Sequence, residues 1–232
     1  MQEIARNIRN ITEEIGRICG RCGRHLSEIK IMGVTKTRSR EAVMAAYQAG
    51  LRLFGENKIQ EAKEKFTEHL PDDAELHFIG HLQRNKAKEV PGFYTMVQSV
   101  DSLRLISELD KRCAQAGTKL PVLLEYNVSG EESKFGFQNP DDLFKGAGAA
   151  MEASHLELRG LMTVGIFTED KNTVRKGFRL LRKHYLRLQE QYPEAKIDTL
   201  SMGMSSDYAA AIEEGSTLVR IGTAIFGPRR YT

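Results

Sequence analysis

Two positively charged residues lie at or next to strand-like runs of the sequence. Lys36 follows the apolar run IKIMGVT at residues 29–35, and Arg220 lies inside the last run, TLVRIGTAIF at residues 217–226. Cations held close together repel one another, and this repulsion and partial burial both lower the pKa of a lysine. A partly neutral lysine can attack an aldehyde and form a Schiff base. The sequence therefore suggests carbonyl chemistry at Lys36, with a solvated lysine that merely ends a strand as the alternative.

Glycine and small hydroxyl residues follow the last two strand-like runs. The stretch SMGMSSDYAAAIEEG carries Ser201 and Ser205 ahead of a helical pattern, and RIGTAIFG carries Gly222 and Thr223 directly after Arg220. A loop that leads into a helix N-terminus can hold an anion, because its N–H groups are free and the helix dipole is favourable. Ordinary helix capping would explain each loop taken alone. Two such loops beside one pocket predict a phosphate site.

These residues are far apart in the chain, so the fold must bring them together. An amphipathic first helix, with isoleucine at positions 4, 8, 11, 15 and 18, precedes eight short apolar runs that alternate with longer helical patterns. This alternation predicts an α/β fold with parallel strands and helical crossovers, and eight units favour a closed (β/α)8 TIM barrel with an extra N-terminal helix. The runs span residues 29–35, 51–55, 76–80, 94–100, 121–128, 156–164, 196–202 and 217–226.

An open doubly wound sheet is the alternative fold, and it would need a glycine-rich dinucleotide turn after the first strand. The sequence GVTKTR has no such pattern. No linker, low-complexity tract or change of composition divides the chain, so a single domain over residues 1–232 is expected. The helices are predicted to end or begin at recognisable residues: one ends at Gly50, one runs from Asp101 to Gly117, and one runs from Ser206 to Gly215.

Composition limits the class of protein. The chain has 232 residues, of which 41% are hydrophobic and 28% charged, and 34 basic residues nearly balance 31 acidic ones for a net charge of +3. This balance gives no indication of a nucleic-acid partner. The longest apolar runs are too short to span a membrane, and the first residues lack the apolar core of a secretory signal. A cytoplasmic protein without a membrane or nucleic-acid partner is expected.

The strand ends of a (β/α)8 barrel form its active face, and closure places the first and eighth strands side by side. Lys36, Arg220 and both small-residue loops would then share one barrel mouth. Pyridoxal 5'-phosphate is a ligand that uses all three features: an aldehyde for the lysine, a phosphate for the loops and a ring nitrogen for a polar partner. An arginine beside that nitrogen disfavours its protonation, which makes the cofactor a weaker electron sink.

Several motifs together resemble the pyridoxal-phosphate homeostasis proteins, single-domain barrels related to the N-terminal domain of alanine racemase. The resemblance implies that Lys36 forms the Schiff base and that Arg220 is the partner of the ring nitrogen. It places Asn57 beside the ring and Ser201, Ser205, Gly222 and Thr223 around the phosphate, with the serine that contacts it left open. Lys58 departs from the family, where an aromatic residue is common. The motifs are GVTKTRS, LFGENKIQEA, LHFIGHLQRNK, SVDSLRL, VLLEYNVSGEESKFGF, LRGLMTVG and LSMGMSSDYAAAIEEGSTLVRIGTAIFG.

The resemblance further implies a protein that binds the cofactor and acts in vitamin B6 homeostasis and supply, without known substrate turnover, as a monomer. Apo-enzymes that use the cofactor are candidate partners. One alternative is a small amino-acid racemase, although such an enzyme needs a second acid or base on the opposite ring face. A Schiff-base aldolase acting on a phosphosugar is a further alternative. Lys134, in the loop GEESKFGF, is a candidate second docking amine.

No metal site is expected. His77 and His81 have the spacing of some metal ligands, but no third ligand is near in sequence. Packing and hydrogen bonding are the preferred roles for both histidines. The sequence leaves open which enzymes receive the cofactor and what triggers its release.

Overall fold

Eight parallel strands close into a barrel in the computed structural model, which describes residues 2–67, 70–131 and 133–228. The strands are hydrogen-bonded in chain order, and the eighth pairs with the first, with Met32 opposite Arg220. The predicted (β/α)8 barrel is therefore confirmed. The strands are β1 (Lys30–Val34), β2 (Leu53–Glu56), β3 (Glu75–Phe78), β4 (Met96–Val100), β5 (Leu120–Glu125), β6 (Leu156–Met162), β7 (Thr199–Met204) and β8 (Leu218–Ile221).

Helices surround this barrel and connect its strands. The first one precedes β1 and buries isoleucines at positions 8, 11, 15 and 18, as their helical spacing predicts. It packs against the second, seventh and eighth helices, so the extra N-terminal helix belongs to the outer layer. The helices are α1 (Gln2–Arg21), α2 (Arg40–Gln48), α3 (Ile59–Lys65), α4 (Leu103–Ala116), α5 (Pro140–Glu152), α6 (Lys171–Gln191), α7 (Tyr208–Glu213) and α8 (Thr223–Phe226).

Three local predictions need correction. The run 217–226 is not one strand, because β8 ends at Ile221 and α8 begins at Thr223. The segment after β3 contains a 3₁₀ helix, Arg84–Glu89, where a longer helical pattern was expected. Helix α4 is capped by Ser102, whose Oγ accepts a hydrogen bond from the Leu105 N–H at 3.4 Å, and not by Asp101. Its predicted end at Gly117 is confirmed.

The interior of the barrel changes character along the strands. It contains two apolar clusters. Polar and charged side chains follow two residues further on: Gln98 after Met96, Glu125 after Leu123, and Arg220 after Leu218, all of them buried. Parallel strands place these polar groups at one level, towards the mouth of the barrel. The apolar clusters are Met32, Leu53 and Leu218, and Met96, Leu123 and Met162.

Candidate functional site

Lys36 lies in a turn between β1 and α2. Because β1 ends at Val34, Lys36 is not part of the strand, and the alternation of side chains along β1 does not fix its direction. The lysine is partly buried, and the next residue, Thr37, has a φ of 62°, which is uncommon for a residue other than glycine. The turn redirects the chain towards Ser39, which caps α2 by accepting a hydrogen bond from the Ala42 N–H.

The backbone on both sides of Lys36 is held by charged side chains of α3. The Lys65 ammonium donates a hydrogen bond to the Thr35 carbonyl oxygen at 2.7 Å, and the Thr37 N–H donates one to the Glu61 carboxylate. Glu61 and Lys65 lie four residues apart on α3, so they share a face of the helix and form an ion pair at 3.1 Å. These contacts fix the peptide groups from which the Lys36 side chain projects.

A buried carboxylate completes this arrangement. Glu56, at the end of β2, is fully buried and accepts hydrogen bonds from Lys65 Nζ and Thr35 Oγ1, each at 2.6 Å. Burial raises the pKa of Glu56, and the neighbouring Lys65 ammonium opposes that rise. The sequence assigned no role to Glu56, Glu61 or Lys65. Glu56 is adjacent to Asn57 in the GEN motif, but no local pattern indicated that Lys65 reaches back to it.

Arg220 projects into the barrel. Its Nη1 donates a hydrogen bond to Ser201 Oγ, and its Nη2 donates one to the Thr163 carbonyl oxygen, both at 2.6 Å. Burial lowers the pKa of Arg220 to about 10, and the attraction of Glu125 and Asp207 opposes this shift. Arginine at such a pKa stays charged near neutral pH. The site thus contains a fixed, buried cation.

Glu125 ends β5 and is 5% exposed. Burial, together with repulsion from Asp101, raises the pKa of Glu125 to about 7, and Arg220 opposes the rise. Near neutral pH, Glu125 is therefore divided between its neutral and charged forms. This titratable group of the barrel interior was also missed from sequence.

The two small-residue loops meet at Ser205. Its Oγ accepts hydrogen bonds from the backbone N–H of Gly222 at 3.2 Å and of Ala224 at 3.4 Å. Thr223, between them, begins α8. Asp207 accepts a hydrogen bond from the Met204 N–H at 2.6 Å, so its carboxylate is bonded within its own loop. The predicted convergence of the loops after β7 and β8 is present in the structure.

The structure separates the two candidate serines. Ser205 lies with Gly222 and Ala224, whereas Ser201 lies inside the barrel between Arg220 and Gln98. The resemblance puts both serines around the phosphate and leaves open which one contacts it. Ser201 is on β7 and its hydroxyl contacts the Arg220 guanidinium, whereas Ser205 follows the strand.

Asn57 follows β2 and lines a cavity of about 290 Å³, together with His81, Lys58 and Lys86. Its backbone packs closely against Gly80, where an added Cβ would lie 2.2 Å from the Asn57 carbonyl oxygen. Only glycine fits this approach, so the chain after β3 holds Asn57 in position. Lys134, the candidate second docking amine, forms an ion pair with Glu131 at 2.6 Å.

Comparison with known proteins gives the family. The sequence pattern of the alanine racemase N-terminal domain family matches residues 2–230. The pyridoxal phosphate homeostasis protein of Vibrio cholerae is 42% identical over 236 residues, covering 100% of this chain and 99% of the relative. The protein of that name from Escherichia coli K12 is 39% identical over 235 residues, with 100% and 99% covered. The chain belongs to the pyridoxal phosphate homeostasis proteins, within the alanine racemase N-terminal domain family.

Solved structures agree with this assignment. The PipY protein of Synechococcus elongatus, in a structure with PLP bound, superposes with a TM-score of 0.84 at 30% identity, covering 97% of this chain and 100% of PipY. Alanine racemase from Streptomyces coelicolor shares the fold, with a TM-score of 0.76 at 18% identity, and the match covers 96% of this chain but 58% of the racemase. Among the described residues, no helix is long and apolar enough to cross a membrane.

Proposed function

We propose that the chain binds pyridoxal 5'-phosphate and acts in pyridoxal-phosphate homeostasis and supply. Three features at the C-terminal ends of the strands together carry the proposal. They are Lys36, in a turn held by hydrogen bonds from α3, the buried Arg220 guanidinium, and the contact between Ser205 and Gly222 that joins the loops after β7 and β8. The PLP-bound PipY structure, at 30% identity over nearly the whole chain, supports the same ligand.

The residues present fit the chemical groups of this cofactor, which supplies an electrophilic aldehyde and an electron-withdrawing ring. Lys36 would hold the aldehyde as a Schiff base, and the α3 contacts would keep its amine in place. The Arg220 guanidinium, which can only donate hydrogen bonds, would face the ring nitrogen. Ser205, Gly222 and Thr223 would bind the phosphate, and Asn57 would lie beside the ring. Ser201 would act through Arg220, which it already contacts.

The proposed role is that of a carrier without substrate turnover. The names of the Vibrio cholerae and Escherichia coli relatives describe homeostasis. Arg220 at the ring nitrogen would leave the ring unprotonated and the cofactor a weaker electron sink, which would slow substrate turnover. We further propose that residues 1–232 form a single cytoplasmic, monomeric barrel domain that passes cofactor to apo-enzymes. Loss of the α-deuterium of an amino acid at catalytic rates would contradict the carrier role and favour a racemase.

The test of cofactor binding is a titration with pyridoxal phosphate, followed by near-visible absorption. The wild-type protein should develop a shifted, saturable band, and Lys36→Ala should lose it. Lys30→Ala is the matched control, because Lys30 is an exposed lysine at the start of β1, whereas Lys36 follows the end of β1. A wild-type protein without a band, or an unchanged band in Lys36→Ala, would refute the proposed role of Lys36.

A further inference from the structure

A chain of side-chain hydrogen bonds crosses the barrel interior from Arg220. The Arg220 Nη1 to Ser201 Oγ bond continues from Ser201 Oγ to Gln98 Oε1 at 2.6 Å. The Gln98 amide nitrogen lies 2.9 Å from His77 Nδ1, and His77 Nε2 lies 3.1 Å from Glu75 Oε2. These residues come from β8, β7, β4 and β3. The chain therefore links the mouth of the barrel to Glu75 at the start of β3.

The two ends of this chain determine the direction of every hydrogen bond in it. Arginine can only donate, so the Ser201 oxygen accepts from Arg220 and its hydroxyl donates to the Gln98 oxygen. The Gln98 N–H then donates to His77 Nδ1, which must be unprotonated. The His77 proton lies on Nε2 and is donated to the Glu75 carboxylate, which can only accept when ionised. All the bonds point the same way, which favours mutual polarisation.

Burial makes this arrangement costly to disturb. Gln98 and Ser201 are fully buried, and His77 is 1% exposed. Burial lowers the pKa of His77, which keeps the ring neutral, and the hydrogen bond from His77 lowers the pKa of Glu75. A buried donor or acceptor that loses its partner costs far more than the net gain of one hydrogen bond. Gln98, Ser201 and His77 are therefore each held in one orientation, whereas the Glu75 side chain is half exposed.

We propose that Gln98 and His77 are positioning residues for Arg220. Through Ser201 they fix one guanidinium nitrogen, while the Thr163 carbonyl oxygen fixes the other, so the plane of the guanidinium has a single orientation towards the mouth. In this orientation Arg220 would donate a hydrogen bond to the ring nitrogen of pyridoxal phosphate, a step that rests on the proposed function. The positioning itself is a property of the chain without cofactor.

The test uses Gln98→Met, which preserves the length of the side chain but removes both hydrogen bonds. Glu75→Gln removes the charge at the far end of the chain, and Glu157→Gln is its matched control, since Glu157 is an exposed carboxylate near the start of β6. Nitrogen-15 NMR of the cofactor-free protein would report the His77 tautomer and the exchange of the Arg220 guanidinium protons. Affinity for pyridoxal phosphate and the absorption maximum of the bound form would report the consequence at the mouth.

We expect the Nε2–H tautomer of His77 in the wild type, with slowly exchanging Arg220 protons. In Gln98→Met these protons should exchange rapidly. The affinity for pyridoxal phosphate should fall about tenfold, as the loss of the one hydrogen bond from Arg220 to the ring nitrogen predicts. The absorption maximum of the bound form should move. Glu75→Gln should keep the Nε2–H tautomer of His77, because Gln98 still donates to Nδ1 and the new amide oxygen can still accept from Nε2–H. Glu157→Gln should change nothing.

Two results would overturn the proposal. One is the Nδ1–H tautomer in the wild type, which is incompatible with the bond from Gln98. The other is unchanged Arg220 proton exchange in Gln98→Met. If Gln98→Met does not fold, the wild-type tautomer of His77 and the exchange rate of the wild-type Arg220 protons still decide the outcome. A wild-type protein that binds no pyridoxal phosphate but shows the predicted NMR behaviour would refute the proposed function alone.

Discussion

Replacing Glu125 by glutamine should change the pH dependence of stability in a defined direction. Burial raises the pKa of Glu125 from its ordinary value of 4.5 to about 7, despite the nearby Arg220. A carboxyl group with a raised pKa binds protons more tightly in the folded state than in the unfolded state. Its contribution to stability is therefore fully present below pH 4.5 and is lost as the pH rises through 7.

The size of the effect follows from the shift. The rise from 4.5 to about 7 corresponds to about 3 kcal/mol, at about 1.4 kcal/mol for each pH unit between those values. Glutamine resembles the protonated carboxyl group and does not titrate. The free energy of unfolding of Glu125→Gln, minus that of the wild type, should therefore rise by about 3 kcal/mol between pH 4 and pH 8.

Urea denaturation of the cofactor-free protein at several pH values would measure this difference. Groups that titrate identically in the two proteins cancel in the subtraction, so the remaining pH dependence belongs to Glu125 and the charges coupled to it. The matched control is Glu157→Gln, an exposed carboxylate on the neighbouring strand β6, and its difference curve should be flat. A flat curve for Glu125→Gln, or one that falls with pH, would refute the assignment of a raised pKa.

Two further substitutions test the bracing of Lys36 and the phosphate loops. Lys65→Met should lower the free energy of unfolding by about 3–5 kcal/mol, because it leaves Glu56 as a buried, unpaired carboxylate. Urea denaturation would measure this loss. The double variant Lys65→Met/Glu56→Gln should recover part of the lost stability, because it also removes the buried charge. A loss below 1 kcal/mol would show that the pair is not structurally important. Ser205→Ala should weaken pyridoxal-phosphate binding about tenfold in an absorption titration. Ser206→Ala is the control, because Ser206 is exposed, and it should leave the affinity unchanged. Equal affinities of Ser205→Ala and the wild type would show that Ser205 does not bind the phosphate.

The architecture could be predicted from sequence because it depends on repeated local patterns. Each strand-like run contains enough apolar residues to be recognised, and eight alternations with helices leave few possible folds. The boundary after β8 could not be predicted in the same way. Apart from Arg220 and Gly222, the residues of TLVRIGTAIF are apolar or β-branched. The turn at Gly222 that converts the second half into α8 depends on tertiary contacts, such as those with Ser205.

The candidate site was partly predictable, for a similar reason. Arg220 and the two loops follow from strand direction and barrel closure, which place them at one end. The contacts of Lys65 could not be found, because they join the C-terminal end of α3 to the turn after β1, and no local pattern encodes such a contact. Gln98 left a weak signal, as a large polar residue in a short strand that is buried throughout. Hydrogen bonding was the role expected for His77, and the structure confirms it.

The most direct test of the central claim is to trap the cofactor and find the residue that holds it. The protein would be incubated with pyridoxal phosphate, reduced with borohydride, digested and mapped by mass spectrometry. A phosphopyridoxyl group on Lys36, absent from Lys36→Ala, is the predicted result. Modification of another lysine such as Lys134 with Lys36 unmodified, or no modification at all, would contradict the account.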